Sequence, residues 1–559
     1  MTASPNDSSP VEATDARTAV MSLARRLARR HRFLVVAFLL ALGLSFYGHV
    51  TLTVPLGLFH DDGIYAATAK SLAEGHGYRI PSVPGFPAQT KYPILYPLLI
   101  AGVWKLAPTF PDNVDALRLV SALATVCFLV GSAHLHRELT GEESLLSMSA
   151  FLAALGLNPL VTNLGAMVLS DMLFAALCVA MWVVHVRWEG GSHRWSMVVG
   201  SSCLSACAMG TRVPGAAFLV AGSLWAARTG WRQFLTYVGI AGTLVLASRL
   251  AVPSSTAIDN PLLSYYTGYE TSVFLDLLRE PLRAVQIAAD NCVYAVVMVG
   301  ELMMPVPWRV VSWMLAALVV IGIVPTGRRA GRTVGASLVL YMLIVLFYPF
   351  IPTRYLLPLA PLLLIAGFNG ATTIASRARG SRSTMSSDIV KAMAFAPLAV
   401  LLLTSFAWAR WNLDQSRLPR LRLWTGGAAT YQWTGFQDTF DWINGHTDKD
   451  AVMAGAFDPM YYLYTGRRGV RPWIPMPDTY FYPMRDRHPY VGDARRIREA
   501  LDAVKATYLV VDPLDGFAEQ PAVATLYPQL LREYGSRATL AFESGDGLHR
   551  VYRLSPPPK

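Results

Sequence analysis

The stretch HDDGIYAATAKSLAEGHGYRIP, His60 to Pro81, follows directly on the apolar run FLVVAFLLALGLSFYGHVTLTV of residues 33–54. A run of that length suffices to cross a bilayer as a helix, so Asp61 and Asp62 sit at the mouth of a membrane span, where unpaired carboxylates are costly. Tyr65, Ala69 and Leu72 fall at i, i+4 and i+7, and Gly75 and Gly77 end the pattern. This spacing predicts an amphipathic helix with an acidic N-terminus, lying on the membrane. One aspartate can cap that helix. The second cannot occupy the same position and is left for chemistry.

Composition sets the frame. The chain has 559 residues, of which 53% are hydrophobic and only 15% charged, and its mean hydropathy is +0.36. Soluble domains carry about a quarter charged residues, so this is read as an integral membrane protein. The apolar runs have helical length and lack the alternation of a membrane barrel. The formal charge of +11 comes from arginines clustered between apolar spans, which marks topology rather than a nucleic-acid surface. Cys127, Cys178, Cys203, Cys207 and Cys292 all lie in or beside apolar segments, and Cys203 and Cys207 have no acid or histidine beside them. They read as packing residues, and no metal site or cofactor is expected. Residues 1–32 are expected to form a disordered, basic cytoplasmic N-terminus that ends in the RRLARRHR run and is not cleaved.

Span one, about 33–53, leaves the cytoplasm. The next apolar piece, 93–108, is short, holds Pro93, Pro97 and Lys105, and reads as a helix in the outer interface. Later spans fall near 117–136, 145–160, 167–187, 196–210, 214–227, 233–251, 308–324, 333–350, 355–376 and 390–409. With this threading every basic loop lies inside. The expected fold is an α-helical polytopic membrane protein of about eleven spans (range 9–13), with outer-face interfacial helices in loop 54–115 and a long outer loop at 252–306. Residues 410–559 change character: helix-like TFDWINGH and DARRIREALDAVKA alternate with strands AVMAGA, TYLVVD, ATLAFES and HRVYRL. They predict a small α/β domain outside the membrane. Within it, Tyr461, Tyr462 and Tyr464 form a candidate sugar-stacking cluster, although at least one of them belongs to the core.

The outer ends of the spans collect further ionisable residues: Lys91, Asp171 in MVLSDMLF and Arg354 in FIPTRYLLPLAPLL. Singly, each has a bland reading as an interface anchor or a helix cap. Together with Asp61 and Asp62 they form an inventory suited to a general base and an anionic leaving group.

The order of these segments resembles the GT-C superfamily of polytopic glycosyltransferases, in particular the bacterial group related to protein O-mannosyltransferases and lipid A aminoarabinose transferases (glycosyltransferase family 39-like). DDGIYAATAKSLAEGHGY is similar to the family's acidic pair and small-residue helix, and KYPILYPLLIA to its Lys-Pro-Pro segment. NPLVTNLGAMVLSDMLF resembles the loop with a second acid, TRYLLPLAPLLLI the late Arg-Tyr-Pro segment, and WINGHTDKDAVMAGAFDPMYYLYTGRR the domain that follows the membrane part. The family has Asp-Glu where this chain has Asp61-Asp62, and Lys-Pro-Pro where it has Lys91-Tyr92-Pro93. The resemblance implies an inverting transfer, on the outer face of a bacterial cytoplasmic membrane, from a polyprenyl-phosphate-linked sugar to a hydroxyl of a glycolipid, cell-envelope polymer or protein. It implies Asp61 as general base, with Asp62 and Asp171 positioning hydroxyls. Lys91 and Arg354, with Arg212, would hold the lipid phosphate, and Tyr65, Tyr92 and Tyr355 would line the sugar or the phosphate. An oligosaccharide-lipid ligase is the nearer alternative and a polytopic transporter or flippase the more distant one. Against the latter, the charges gather at span ends rather than at the midplane.

Overall fold

The computed structural model describes residues 10–51, 54–191, 195–253, 260–267, 278–304, 308–348, 352–379, 387–416, 433–472, 493–512 and 526–557. The first apolar run belongs to a longer helix, α1 (Pro10–Thr51). The expected disordered N-terminus is therefore helical from Pro10, while residues 1–9 lie outside the described residues. Between Pro10 and the span the chain is rich in Ala, Leu and Arg and has no glycine, so the helix propagates back from the membrane segment.

Next come α2 (Asp61–Ala73), α3 (Leu95–Leu106) and α4 (Val114–Thr140). α5 (Leu145–Gly156) and α6 (Pro159–Ala166) are bent by 66° to one another. Asn158 makes the bend: its Oδ1 accepts from the Leu160 amide at 2.9 Å and its Nδ2 donates to the Leu302 carbonyl at 2.7 Å. α7 (Asp171–Glu189), α8 (Trp195–Thr211), α9 (Ala216–Thr229) and α10 (Trp231–Leu250) follow. Helices Pro281–Glu301, Arg309–Leu346, Ala360–Arg379 and Ser387–Ser416 complete the helical part.

By length and apolar composition, eight helices among the described residues can cross a membrane, or nine if α5 and α6 count as one span. The expected count of about eleven is not reached on that measure. α8 and α9 have only 17 and 14 residues, and Arg309–Leu346 counts once although Gly331 (φ 86°, ψ 175°) breaks it into a hairpin. Pro281–Glu301 does qualify, in a region expected to be an outer loop. It packs against the open end of that hairpin: Asn291 donates to the carbonyls of Leu346 and Tyr348 at 2.9 and 2.6 Å, and Gly300 lies against Ser312.

The hairpin tip identifies a common face. Glu189, closing α7, accepts from the Arg332 amide at 2.7 Å and from the Thr333 amide. Arg329 donates to the carbonyls of Leu139 and Thr140, at the end of α4, at 2.9 and 2.8 Å. The C-termini of α4 and α7 and the basic hairpin tip thus share one end of the bundle, as the threading expected.

The opposite end carries the C-terminal domain. Its strands β1 (Val452–Ala454), β2 (Arg468–Val470), β3 (Tyr508–Val511), β4 (Ala538–Glu543) and β5 (Arg550–Leu554) form one sheet in the order β2-β1-β3-β5-β4. β1 is parallel to β2 and β3, and β5 is antiparallel to β3 and β4. Helix Asp458–Thr465 connects β1 to β2 and faces the membrane part. α2 is wedged between that helix and the bundle. It does not lie flat with one face toward lipid, because Asp62 through Ala69 and Ser71 are all buried. Small residues in α2 and the turn before it allow this: Gly63 packs against Pro459, and Gly57 (φ +96°) against Met460.

Candidate active site

The chain enters α2 through a tight turn. The Asp61 amide donates to the Phe59 carbonyl at 2.7 Å across His60, whose backbone is at φ 59°, ψ −60°. That turn sends the two aspartates apart. Asp62 is 3% exposed; its Oδ2 accepts from the Gly57 amide and its Oδ1 from the Gly63 amide, both at 2.9 Å. Burial pushes its carboxyl up to about 7, against the pull of those two amides. Asp62 fastens the entrance turn.

Asp61 faces the bundle. Its Oδ1 accepts from the Tyr92 hydroxyl at 2.5 Å and its Oδ2 from Arg354 Nη1 at 3.0 Å. Burial raises its carboxyl, but the His60 imidazole beside it and the charges of Arg354 and Lys91 together outweigh this and hold it well below the usual carboxylate range. Arg354 bridges onward to Asp171, with Nε to Oδ1 at 3.1 Å and Nη2 to Oδ2 at 2.6 Å. Arg212 meets the same carboxylate, Nη1 to Oδ1 at 3.0 Å and Nη2 to Oδ2 at 3.3 Å. The result is a continuous chain Asp61–Arg354–Asp171–Arg212, charges alternating in sign. Such pairing is what makes buried charges tolerable.

Aromatic and hydroxyl groups frame this chain. Arg212 Nε donates to Ser170 Oγ at 3.1 Å, and Ser170 Oγ lies 2.8 Å from the Tyr65 hydroxyl. The Tyr65 ring is 4.6 Å from Tyr92 and 5.2 Å from Tyr96. The Arg212 guanidinium lies 4.7 Å over the Tyr355 ring and that of Arg354 5.2 Å over Phe59. The Lys91 ammonium sits 5.2 Å over the Tyr92 ring. Of the residues that the resemblance implied for the site, all but Asp62 lie in one cluster, drawn from α2, the 89–92 loop, the starts of α7 and the Thr353–Leu356 turn, and the end of α8. Ser170, Phe59 and His60 were not foreseen. Ser170 had the signal of adjoining Asp171; Phe59 and His60 had none beyond adjoining Asp61.

Beside Tyr92, a cleft of about 70 Å³ is lined by Gln89, Pro93, Gly210 and Arg249, among others. It runs toward the lipid-facing α10. Of the aromatic cluster in the outer domain, Tyr461 is buried and donates to Asp512 at 2.7 Å, and Tyr464 stacks on Phe440 at 4.9 Å. Both serve that domain's packing, and Tyr462 lies under the Lys70 ammonium at 5.0 Å. Among the described residues no group of three or more His, Cys, Asp or Glu side chains is placed to hold a metal.

The sequence matches no family model, and no curated protein matches it. Solved structures do. ArnT from Cupriavidus metallidurans in the apo state superposes with a TM-score of 0.50 at 14% identity, over 97% of this chain and 100% of that one. The archaeal oligosaccharyltransferase AglB from Archaeoglobus fulgidus, in complex with an inhibitory peptide and a dolichol-phosphate, gives 0.52 at 11% identity, over 94% of this chain and 74% of that one. The apo form of the Archaeoglobus enzyme gives 0.52 at 11% identity over the same shares. At these identities the likeness is one of fold, which this chain shares with both proteins.

Proposed function

We propose that this chain is a membrane glycosyltransferase that moves a sugar, with inversion, from a polyprenyl-phosphate carrier to an acceptor hydroxyl at the membrane end facing its C-terminal domain. The observation that carries the reading is the Asp61–Arg354–Asp171–Arg212 chain with Lys91 beside it. The fold, shared with a protein solved with dolichol-phosphate, supports it. Three cations face two carboxylates there, which leaves one net positive charge. That balance suits a singly charged phosphodiester better than the diphosphate an oligosaccharide-lipid ligase would use. The cleft beside Tyr92, with exposed Arg249 at the end of α10, offers the carrier a lateral approach.

In the reaction, the donor phosphate occupies the space among Lys91, Arg212 and Arg354. Arg354 then divides its hydrogen bonds between phosphate and carboxylates. Asp61, relieved of part of that attraction, becomes more basic where basicity is needed. An acceptor hydroxyl beside Asp61 attacks the anomeric carbon. As that bond forms, the bond from the anomeric carbon to the phosphate oxygen breaks and its electron pair leaves with the polyprenyl phosphate. The hydroxyl proton passes to the Asp61 carboxylate. Preorganised cations hold the charge that develops on the leaving group, and removing one donor of this kind lowers turnover by about 10²–10³-fold. Asp171 sets the geometry of both arginines, and Tyr92 orients Asp61.

The test supplies membranes with radiolabelled polyprenyl-phosphate sugars and lipid, polymer and protein extracts. Wild type is expected to release sugar from its carrier onto one extract. Asp61→Asn is expected to bind carrier and to transfer nothing measurable. Normal turnover by Asp61→Asn would overturn the assignment of the base.

A further inference from the structure

The residue before the proposed base is held from the other domain. His60 is fully buried, and its Nε2 lies 3.0 Å from Oδ1 of Asp458, itself fully buried at the first turn of helix Asp458–Thr465. Arg471, 3% exposed beside the end of β2, places Nε 3.5 Å from the same oxygen and donates from Nε to the Ala456 carbonyl at 3.1 Å. On its other edge the imidazole faces Asp61, with Nδ1 3.9 Å from Oδ1. The ring thus stands between a carboxylate of the outer domain and the reacting carboxylate.

The backbone makes this contact consequential. A non-glycine residue at φ 59°, ψ −60° closes a γ-turn of the rare positive-φ form. Conformations of this kind persist only where surrounding contacts over-determine them. Here the surrounding contact is the His60–Asp458 bond, reinforced by Asp62 on the Gly57 amide. Relaxation of the turn would swing Asp61, at the first position of α2, away from Tyr92 and Arg354.

We infer that His60 is a positioning residue for Asp61, clamped by Asp458, so that the seating of the outer domain sets the direction of the base. The inference rests on the glycosyl-transfer reading for its effect on turnover, but not for its effect on the turn itself. Two measurements on the full-length protein in nanodiscs separate the two. The first is hydrogen–deuterium exchange of the peptide covering residues 57–64. His60→Gly keeps a backbone that tolerates positive φ while removing the imidazole, and Asp458→Asn removes the partner charge while keeping volume and fold. Both are expected to speed exchange there, and the double variant to exchange no faster than His60→Gly alone, because the two act through one bond. Additive effects, or wild-type protection in both single variants, would overturn the clamp whatever the protein transfers. The second is transfer of labelled sugar from its polyprenyl phosphate. His60→Gly is expected to lose about 10²-fold in kcat, the scale of a misdirected reacting group, with the donor KM unchanged. His60→Gln, whose amide nitrogen reaches about where the imidazole Nε2 stands and can donate to Asp458, is expected to recover part of that loss. A raised KM with unchanged kcat would assign His60 to donor binding instead. Should no donor be transferred by wild type while the exchange result holds, the clamp stands and the proposed reaction falls.

Discussion

Asp61 stands in a state poised for binding rather than for proton abstraction. A carboxylate held well below its usual range by the neighbouring His60, Arg354 and Lys91 is ionised at every physiological pH, so its base form does not limit the acid side of a rate profile. With wild type, kcat/KM is expected to show no acid limb from Asp61 between pH 5 and 8. Arg354→Gln removes one lowering charge, so the limb should move up in pH while turnover falls by about 10²–10³-fold; initial rates across pH check both. Asp62 behaves oppositely. Its carboxyl, raised to about 7, keeps a proton in the folded chain that the unfolded chain releases near pH 4. Stability should therefore fall as pH rises from about 4 to about 7, and thermal unfolding of Asp62→Asn should lack that component. The sequence could show that Asp61, Asp171, Arg212 and Arg354 were charges at span ends needing partners, because apolar surroundings make such charges conspicuous. It could not show that Asp61 and Asp62 part ways. Consecutive residues on a helix point about 100° apart, and which of them meets the bundle depends on the His60 turn, whose cause lies some 400 residues downstream at Asp458.

At the scale of elements, close approach does what sequence periodicity only hints at. Helix Ala360–Arg379 crosses the hairpin Arg309–Leu346 so tightly that a Cβ on Gly370 would stand 2.0 Å from the Leu318 carbonyl oxygen, and one on Gly322 only 1.8 Å from that of Ala366. In an exposed helix, Gly→Ala stabilises by about 1 kcal/mol. Here the neighbour is backbone and cannot yield, so the sign reverses. Gly370→Ala is expected to lower the thermal midpoint in detergent, and Gly327→Ala, where nothing lies within 4 Å, is expected not to. Gly63→Ala should act differently, since its Cβ would stand 2.6 Å from Pro459 of the outer domain; it is expected to loosen the domain and impair transfer more than it lowers the midpoint of the bundle. The glycines were visible in the sequence, but among those inside spans nothing distinguished Gly370 from Gly335, where nothing lies within 4 Å. The same limit applies to α2. Its Tyr65, Ala69, Leu72 stripe read as a membrane-surface helix, because a sequence pattern shows one apolar face and cannot show that a second domain covers the other. β2, only three residues long, was not among the expected strands and begins just after the tyrosine cluster.

At the scale of the whole molecule, the two ends of the bundle differ in chemistry, and this predicts how the chain sits in its membrane. One end gathers Arg137, Arg187, Arg328, Arg329 and Arg332 around the hairpin tip, with Glu138 between Arg137 and Arg187. The other gathers the charge chain at Asp61 and the folded C-terminal domain. Lys and Arg in short loops are retained on the cytoplasmic side during insertion, so the hairpin tip should be inside and the Asp61 end outside. A donor carried on a long apolar tail then approaches from the outer leaflet along α10, and no nucleotide need reach the site. Cysteines introduced one at a time at two exposed positions check this, in a background where Cys127, Cys203, Cys207 and Cys292, all at least partly exposed, are replaced by serine and only the buried Cys178 is kept. In intact cells with a permeable outer barrier, Lys449→Cys in the C-terminal domain should react with a membrane-impermeant maleimide. Arg328→Cys at the tip should react only after lysis. The reverse pattern would place the proposed site in the cytoplasm, where activated nucleotide sugars are available, and would remove the reason for a polyprenyl-phosphate donor.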